Sequence, residues 1–178
     1  MSDGIGKSGR PVGKGSLLAF IALGSNLGDS KKIVMDALAR LQTFSRKPIV
    51  KSSLWQTSPV DCPPGSGKFI NAVAALAPDP AETPESLLIK LKALEKEFGR
   101  TLKQIPNEPR RLDLDLIAFG DESRRSSDLV LPHPRAHLRK FVLQPLKEIA
   151  PDLVLPGREK TVSELLGGLV SREIMIAL

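Results

Sequence analysis

The sequence has a single cysteine, Cys62, among its 178 residues. One cysteine excludes an intramolecular disulfide and leaves no thiolate cluster for a structural zinc ion. The two histidines, His133 and His137, have no cysteine or third histidine close in sequence that would complete a zinc site. A chain so poor in thiols is typical of a reducing compartment, so a cytoplasmic protein is predicted.

The chain also has few aromatic side chains, with no tyrosine, one tryptophan and six phenylalanines. Proteins that bind single-stranded nucleic acid stack bases on aromatic side chains, and this sequence offers little for that purpose. Long apolar runs are missing as well, since the run 17–23 has the length of a buried strand and not of a membrane span. Neither a nucleic acid nor a membrane is therefore predicted as a partner. The formal net charge of +6 instead suits a small polyphosphate.

Two regions of the chain differ in composition. Residues 1–16 hold five glycines, several basic residues and no apolar periodicity, which predicts a disordered N-terminal tail. Residues 17–178 are long enough to bury one core without disulfides, and no internal repeat divides them. We therefore predict a single domain over 17–178 and expect a monomer.

The apolar pattern of residues 17–120 changes between strand and helix periods. The predicted elements are a strand over 17–23, a helix over 30–44, strands over 49–55 and 69–76, a helix from Pro84 to a cap at Gly99, and a strand that ends at Gly120. This order is that of a split βαβ unit. The predicted fold class is α+β, with a ferredoxin-like βαββαβ core, a mostly antiparallel sheet and helices packed on it.

A C-terminal extension is predicted to cover the rest of the sheet. A short edge strand is expected over 129–131, and a helical region over 134–149 is expected to be interrupted at Pro145. A last helix is expected after Thr161, because Thr161 and Glu164 have the spacing of a capping box.

The stretch 110–117 carries the clearest chemical pattern. Leu112, Leu114 and Leu116 fall on one side of an extended strand, and Asp113 and Asp115 fall on the other. The two aspartate Cα atoms are then roughly 6.6 Å apart, and without a cation at least one of the two pKa values should rise. Oxygen ligands favour Mg²⁺, which keeps both carboxylates ionised. The pattern therefore predicts a magnesium site in preference to a sheet edge with two solvated acids.

Other polar residues have less specific surroundings. Arg100 and Arg110 bracket the loop before this strand, and their guanidinium groups suit phosphate, whereas Lys103 fits a phosphate contact and a solvated loop equally well. Asn71 interrupts an apolar strand. Two interpretations are open: its amide is hydrogen-bonded within the core, or it forms hydrogen bonds with the edge of a bound heterocycle. His133 lies between two prolines. It could contact a substrate or be a simple turn residue, and the sequence leaves both interpretations open.

Six motifs occur in a fixed order along the chain. They are Gly-Ser-Asn-Leu-Gly-Asp at 24–29, Thr-Ser-Pro at 57–59, Phe-Ile-Asn-Ala-Val at 69–73, Glu95 through Gly-Arg at 99–100, Pro-Arg-Arg-Leu-Asp-Leu-Asp at 109–115, and Pro-His-Pro at 132–134 through Arg-Lys-Phe at 139–141. Together they resemble the 6-hydroxymethyl-7,8-dihydropterin pyrophosphokinases over residues 17–156. The Arg-x-Leu-Asp-Leu-Asp strand is the most specific part of this resemblance.

The resemblance implies an ATP-dependent pyrophosphokinase of the folate pathway. Its substrates would be ATP and 6-hydroxymethyl-7,8-dihydropterin, and its products AMP and the pterin diphosphate. Two Mg²⁺ ions would bind Asp113 and Asp115 and bridge the ATP phosphates. Chemistry of this kind depends mainly on positioning and charge stabilisation.

The resemblance also assigns residues to each substrate. The catalytic residues would be Arg100, Arg110, Asp113 and Asp115. The ATP-binding residues would be Glu95, Arg100, Lys103, Arg110, His133 and Arg139. The pterin would contact Thr57, Ser58, Val60, Phe69, Asn71 and Phe141. In this arrangement Phe69 and Phe141 enclose the pterin ring, whereas Glu95, from its place on a helix alone, would be a surface or capping charge.

Two positions depart from the pattern of some family members. Asn107 stands where some members have tryptophan in the loop, which bears on closure over the pterin. Asp128 stands where some have a basic residue just before the Pro-His pair, which bears on one phosphate contact. Neither position affects the aspartate pair.

Two other functions fit parts of the sequence. Nucleotide-sugar glycosyltransferases also bind Mg²⁺ and a diphosphate through Asp-x-Asp, but 178 residues are few for a donor domain and an acceptor site. An RNA-binding ferredoxin-like module would carry aromatic residues on its central strands, where this chain has acids. Conversion of ATP to AMP that depends on a reduced pterin favours the pyrophosphokinase, and salt-sensitive RNA binding without Mg²⁺ favours the RNA-binding module.

Deletion of residues 1–15 is predicted to leave both activity and melting temperature unchanged, because a glycine-rich basic segment has no apolar surface with which to join a core. Thermal melting and a steady-state assay of the full chain and the shortened chain check this. A clear loss of either property would contradict the prediction.

Overall fold

The computed structural model describes residues 17–59, 62–100 and 108–178. The predicted tail, residues 1–16, lies outside the described residues. Within the described ranges, the main sheet consists of β1 Ala19–Ser25, β2 Val50–Lys51, β3 Trp55–Thr57, β4 Phe69–Leu76, β5 Asp113–Phe119 and β8 Met175–Ala177. A separate hairpin consists of β6 Arg124–Arg125 and β7 Val130–Leu131. The α-helices are α1 Ser30–Leu41, α2 Pro84–Glu97, α3 Lys140–Ile149 and α4 Val162–Gly168.

The sheet is built around β1, which pairs antiparallel with β4 on one side and with β5 on the other. The strand order is β5-β1-β4-β3-β8, with β2 also paired to β4. The pairs formed by β2, β3 and β8 are antiparallel as well. The predicted α+β class with a mostly antiparallel sheet is therefore confirmed.

The two faces of the sheet carry different helices, because successive side chains of each strand point to opposite faces. Ile21 and Leu23 of β1 belong to the core that α1 and α2 cover. Phe20 and Ala22, on the other face, belong to the core that α3 covers together with α4. The C-terminal extension thus closes the second face of the sheet, as predicted. No helix within the described ranges is long and apolar enough to cross a membrane.

The predicted strand over 49–55 is wrong in its continuity, since the structure has two short strands, β2 and β3, with an interruption at Ser52. There the Ser52 hydroxyl, and not a backbone carbonyl, accepts a hydrogen bond from the Val73 N–H at 3.0 Å. A side chain that replaces a backbone partner in this way ends the regular ladder. The predicted helix over 30–44 also changes type at its end, because residues Gln42–Phe44 form a 3₁₀ turn.

The C-terminal extension differs from the prediction in three places. The helical region is interrupted at Arg139, between a 3₁₀ turn at Ala136–Leu138 and α3, and not at Pro145, which lies buried within α3. Because proline has no N–H group, α3 lacks one backbone hydrogen bond at Pro145. The predicted edge strand over 129–131 belongs to the separate hairpin, and strands β6 and β8 were missed because two or three residues show no periodicity.

Replacement of Leu91 by alanine is predicted to lower the free energy of unfolding by about 2–5 kcal/mol, because the side chain is fully buried in the core beneath α2. The matched control is Ile89→Ala on the same helix, where the side chain is 69% exposed and the change should stay within about 0.5 kcal/mol. Urea unfolding of both variants measures the difference. Equal effects would show that α2 does not pack as described.

Candidate active site

A cavity of about 640 Å³ lies where the end of β1 meets the beginnings of β4 and β5. The predicted site residues that fall in the described ranges all line it. They are Thr57, Ser58, Phe69, Asn71, Glu95, Arg100, Arg110, Asp113, Asp115, His133, Arg139 and Phe141. Two predicted residues, Val60 and Lys103, lie outside the described residues.

Asp113 is held by two guanidinium groups. Arg100 donates from Nη1 to Oδ1 of Asp113 at 2.7 Å, and Arg110 donates from Nη1 to Oδ2 at 2.9 Å. The three side chains are largely withdrawn from solvent, with exposed fractions between 15% and 24%. Both oxygens of Asp113 therefore face positive charge even before any substrate is considered.

Asp115 lies on the same face of β5 and has looser neighbours. His133 Nε2 lies 3.8 Å and Arg139 Nη1 lies 3.7 Å from Oδ2 of Asp115, beyond normal hydrogen-bonding distance. Burial raises the pKa of Asp115 above its ordinary value, and the negative charge of Asp113 raises it further. This is the outcome predicted for two carboxylates on one strand face without a cation.

His133 is positioned by the backbone of β5, since its N–H donates to the carbonyl of Ile117 at 2.8 Å. Burial lowers the pKa of the imidazole below its ordinary value, although the nearby Asp115 acts in the opposite direction. His133 therefore faces the cavity with a reduced tendency to carry charge. The sequence left open whether His133 contacts a substrate or is a simple turn residue. Its position near Asp115 favours a role in the site.

Glu95 is not a surface charge, because its residue is only 5% exposed. Its Oε1 accepts a hydrogen bond from the backbone N–H of Leu114 at 2.7 Å and another from Arg100. Burial raises the pKa of Glu95 to about 7, while the bond from Leu114 and the charge of Arg100 act in the opposite direction. Glu95 thus joins α2 to β5 and orients the guanidinium group that holds Asp113.

The Gly-Ser-Asn motif holds the backbone on the other side of Asp113. The Asn26 N–H donates to the carbonyl of Arg110 at 3.1 Å, and the Arg110 N–H donates to Oδ1 of Asn26 at 2.9 Å. These two bonds fix the chain just before β5 begins. The motif therefore acts on the acidic strand indirectly, through the position of Arg110.

The opposite half of the cavity contains an amide and a hydroxyl group. Asn71 is buried, and its Nδ2 donates to Oγ1 of Thr57 at 2.7 Å. Gly24 of β1 pairs with Asp113 on one side and with Asn71 on the other. Two strand spacings put the acidic strand and the amide roughly 10 Å apart. The cavity therefore has two chemically different halves, one with the carboxylates and one with the amide.

Position 24 favours glycine because neighbouring side chains come close to its backbone, and not because of its backbone angles. A Cβ atom at this position would lie 3.0 Å from Oδ1 of Asn71 and 3.9 Å from the ring of Phe69. Any larger residue would press on the amide. The first strand therefore has no side chain at this one level of the cavity. It continues through Gly24 and Ser25 beyond its predicted end at residue 23.

Two phenylalanines border the same half. Phe69 is the first residue of β4 and pairs with Thr57 of β3. Phe141 lies in the first turn of α3, and the guanidinium carbon of Arg139 lies 5.3 Å from its ring centroid. This geometry is that of a cation–π contact. The two rings come from distant parts of the chain and both line the cavity.

The structure adds residues that the sequence did not point to. Lys92, Arg135 and Glu173 also line the cavity. Lys92 lies three residues before Glu95 on α2, so helical spacing was a usable signal for it. Arg135 and Glu173 offered no such signal. Of the two departures from the family pattern, Asp128 lines the cavity, whereas Asn107 lies outside the described residues.

The carboxylate oxygens of Asp113 and Asp115 suit Mg²⁺, but they are too few to surround an ion. Within the described ranges, no group of three or more histidine, cysteine or acidic side chains is arranged to hold a metal ion. Mg²⁺ usually takes one or two carboxylates and completes its octahedron with water and substrate phosphates. Asp113 and Asp115 supply those carboxylates, and the raised pKa of Asp115 indicates a place where a cation would relieve repulsion.

An α+β fold that gathers two carboxylates and several guanidinium groups in one cavity is typical of enzymes that transfer phosphate groups. The model of the 7,8-dihydro-6-hydroxymethylpterin-pyrophosphokinase family matches residues 20–151. The chain belongs to this family.

Curated relatives and solved structures agree with the family match. The 2-amino-4-hydroxy-6-hydroxymethyldihydropteridine pyrophosphokinase of Synechocystis is 37% identical over 148 residues, which cover 83% of this chain and 74% of that protein. The folic acid synthesis protein fol1 of Pneumocystis carinii is 36% identical over 158 residues, and the chain spans one fifth of its length. A crystal structure of Plasmodium falciparum HPPK-DHPS with pteroate has a TM-score of 0.67 at 13% identity, covering 86% of this chain and 44% of that one. That last likeness supports the fold. The predicted function, an ATP-dependent pyrophosphokinase of folate synthesis, is confirmed by the family match and the named relatives.

Replacement of Gly24 by alanine is predicted to lower the free energy of unfolding by about 1–3 kcal/mol and to weaken pterin binding, because the new methyl group presses on the Asn71 amide. The matched control is Gly167→Ala, where a Cβ atom meets nothing within 4 Å. Thermal melting and the KM for 6-hydroxymethyl-7,8-dihydropterin report the two effects. Indistinguishable variants would show that the close approach at Gly24 is unimportant.

Proposed function

We propose that the cavity binds ATP and 6-hydroxymethyl-7,8-dihydropterin side by side, with the triphosphate at the Asp113–Asp115 end and the pterin at the Asn71 end. The observation that carries this proposal is the division of one cavity into two chemically different halves. One half has paired carboxylates among guanidinium groups, and the other has a buried amide and two phenylalanines.

Asp113 and Asp115 would hold two Mg²⁺ ions, which would neutralise phosphate charge and fix the triphosphate in place for transfer. Support comes from their shared strand face and from the raised pKa of Asp115. Arg100 and Arg110 already contact Asp113 and are therefore close enough to share their donors with a phosphate. A substrate that binds here meets carboxylates and guanidinium groups together.

The ATP-binding residues we propose are Glu95, Arg100, Lys103, Arg110, His133 and Arg139. Nε of Arg110 is buried and has no hydrogen-bond partner among the described residues, so one donor at the cavity wall is left for an anion. A buried donor without a partner is costly, and a phosphate oxygen would satisfy it. Glu95 would act through Arg100, which it orients, and not by direct contact with phosphate.

The pterin contacts we propose come from Thr57, Ser58, Val60, Phe69, Asn71 and Phe141. Because Asn71 uses Nδ2 on the Thr57 hydroxyl, its Oδ1 remains as an acceptor for an N–H group of the pterin. Phe69 and Phe141 would enclose the ring, and Arg139 would then leave the face of Phe141 for the phosphates. The amide supplies specificity and the rings supply most of the buried apolar area.

The reaction is a displacement at the β-phosphorus of ATP. The hydroxymethyl oxygen of the pterin forms a bond to Pβ, the bond between Pβ and the oxygen that bridges to Pα breaks, and AMP leaves. The hydroxyl proton passes to water. Arg100 and Arg110 would stabilise the charge that develops on the leaving oxygen, which is the main protein contribution to phosphoryl transfer.

We also propose that residues 17–178 act as one domain, and that the protein is a cytoplasmic monomer with no nucleic-acid or membrane partner. The single cysteine and the scarcity of aromatic side chains support these points. Size-exclusion chromatography with light scattering measures the mass directly, and a dimer mass would exclude the monomer.

The activity is tested by product analysis. The protein is mixed with ATP, Mg²⁺ and 6-hydroxymethyl-7,8-dihydropterin, and nucleotide and pterin products are separated. AMP and pterin diphosphate in equal amounts, formed only when all three are present, are the expected result. Release of ADP, or of AMP without pterin, would contradict the proposed transfer.

Asp113→Asn and Asp115→Asn are each predicted to lower kcat about a hundredfold or more, because the amide keeps the shape but removes the charge that holds Mg²⁺. The matched control is Asp121→Asn, an exposed carboxylate just beyond β5, which should leave kcat unchanged. A Mg²⁺ titration of kcat, with melting temperatures in EDTA as a folding check, measures the effect. Near-normal turnover of both site variants at ordinary Mg²⁺ would place the metal elsewhere.

A further inference from the structure

The C-terminal segment, defined as residues 171–178, lies outside the family-matched range of 20–151 and yet reaches the active site. Its strand β8 pairs antiparallel with β3, with Thr57 opposite Met175 and Trp55 opposite Ala177. The Leu178 N–H adds a bond to the carbonyl of Leu54 at 2.9 Å. The segment is therefore attached to the strand that carries the pterin-side residues, and it forms the outer edge of the sheet.

The pairing continues past β3 into the loop that lines the cavity. The Ser58 N–H donates to the carbonyl of Ile174 at 3.1 Å, and the Ile174 N–H donates to the Ser58 hydroxyl at 3.2 Å. Thr57, the residue before, holds the Asn71 amide. The C-terminal segment thus fixes one wall of the pterin half through its backbone.

Glu173 connects the same segment to the opposite wall. It lines the cavity, and its carboxylate faces the backbone N–H groups of Phe141 and Lys140 in the first turn of α3. The Lys140 ammonium donates to the Glu173 carbonyl at 3.4 Å. The helix has no capping bond from the side chain of its own N-cap residue, Arg139. A carboxylate is favoured at a helix N-terminus, where backbone N–H groups and the helix dipole are both available to it.

Glu173 is half-buried and differs in this from a freely exposed surface acid. Its Oε1 is buried and has no hydrogen-bond partner among the described residues. Burial raises its pKa, against the opposing effect of the Phe141 and Lys140 N–H groups. A buried carboxylate oxygen without a partner costs stability, and the N–H groups of α3 offset part of that cost.

We propose that Glu173 is a positioning residue for the pterin site, which holds the Phe141 wall and the Ser58 wall at a fixed separation. This inference rests on the proposed function, because it assigns Phe141 and Ser58 to the pterin. Glu173 itself would not touch the reacting atoms. It would set the width of the slot into which the ring enters, and ATP binding at the other end of the cavity would not depend on it.

The test compares Glu173→Ala, Glu173→Gln and the control Glu159→Ala, which removes an exposed carboxylate elsewhere in the C-terminal region. Glu173→Ala should raise the KM for 6-hydroxymethyl-7,8-dihydropterin about tenfold, which is about 1.4 kcal/mol. The KM for ATP should be unchanged and kcat should stay within about twofold, since the phosphate half is untouched. Glu173→Gln keeps an oxygen acceptor for the N–H groups of α3 and should recover most of the pterin affinity.

Calorimetric titration with 6-hydroxymethyl-7,8-dihydropterin, in the presence of Mg²⁺ and α,β-methylene ATP, measures the same loss without turnover. Melting temperatures of all variants separate a folding defect from a binding defect. If Glu173→Ala melts like the wild type and keeps its pterin KM, or if both KM values rise together, the positioning role is overturned. A wild-type protein that makes no pterin diphosphate would instead overturn the proposed function, so the two failures are distinguishable.

Discussion

Two like charges held side by side on one strand face set the main electrostatic requirement of this structure. Burial and the neighbouring charge of Asp113 raise the pKa of Asp115, so positive charge has to be brought to the pair. The surrounding architecture does this in two ways. Arg100 arrives from the end of α2, oriented by the buried Glu95, and Arg110 arrives from the loop that Asn26 holds. Each arginine is thus held by a residue that lies outside β5.

The same strand pairing that creates the acidic face also creates the neighbouring pocket. Because β1 runs between β5 and β4, the residue of β1 at this level would normally fill the space between Asp113 and Asn71. Because Gly24 has no side chain, the Asn71 amide can lie close to β1 at this level. The charged half and the half that contains Asn71 line one cavity. The C-terminal segment pairs with β3 on the far side and brings Glu173 to the cavity wall.

Much of this was predictable from local pattern. The alternation of residues 112–116 correctly placed the leucines in the core and the aspartates in the cavity, and the strand over 69–76 and the helix after Thr83 were predicted within two residues of their observed bounds. Short elements were not predictable, since β6 and β8 have two and three residues and take their conformation from a partner strand. The burial of Glu95 also escaped prediction, because its partners are a backbone N–H 19 residues away and a guanidinium group beyond the end of its helix.

By itself, the sequence determined the alternation that separates acid from core, the order of strands and helices, and the pairing of two carboxylates on one strand face. These depend on neighbours within a few residues, and strand and helix geometry turn such neighbours into faces. Only the tertiary structure decided which distant groups meet at those faces. It brought Phe69, Phe141 and Glu173 to the lining of one cavity and placed Gly24 between Asp113 and Asn71. The physical reason is that strand pairing and helix packing join residues far apart in the chain, and no local pattern contains the separation between them.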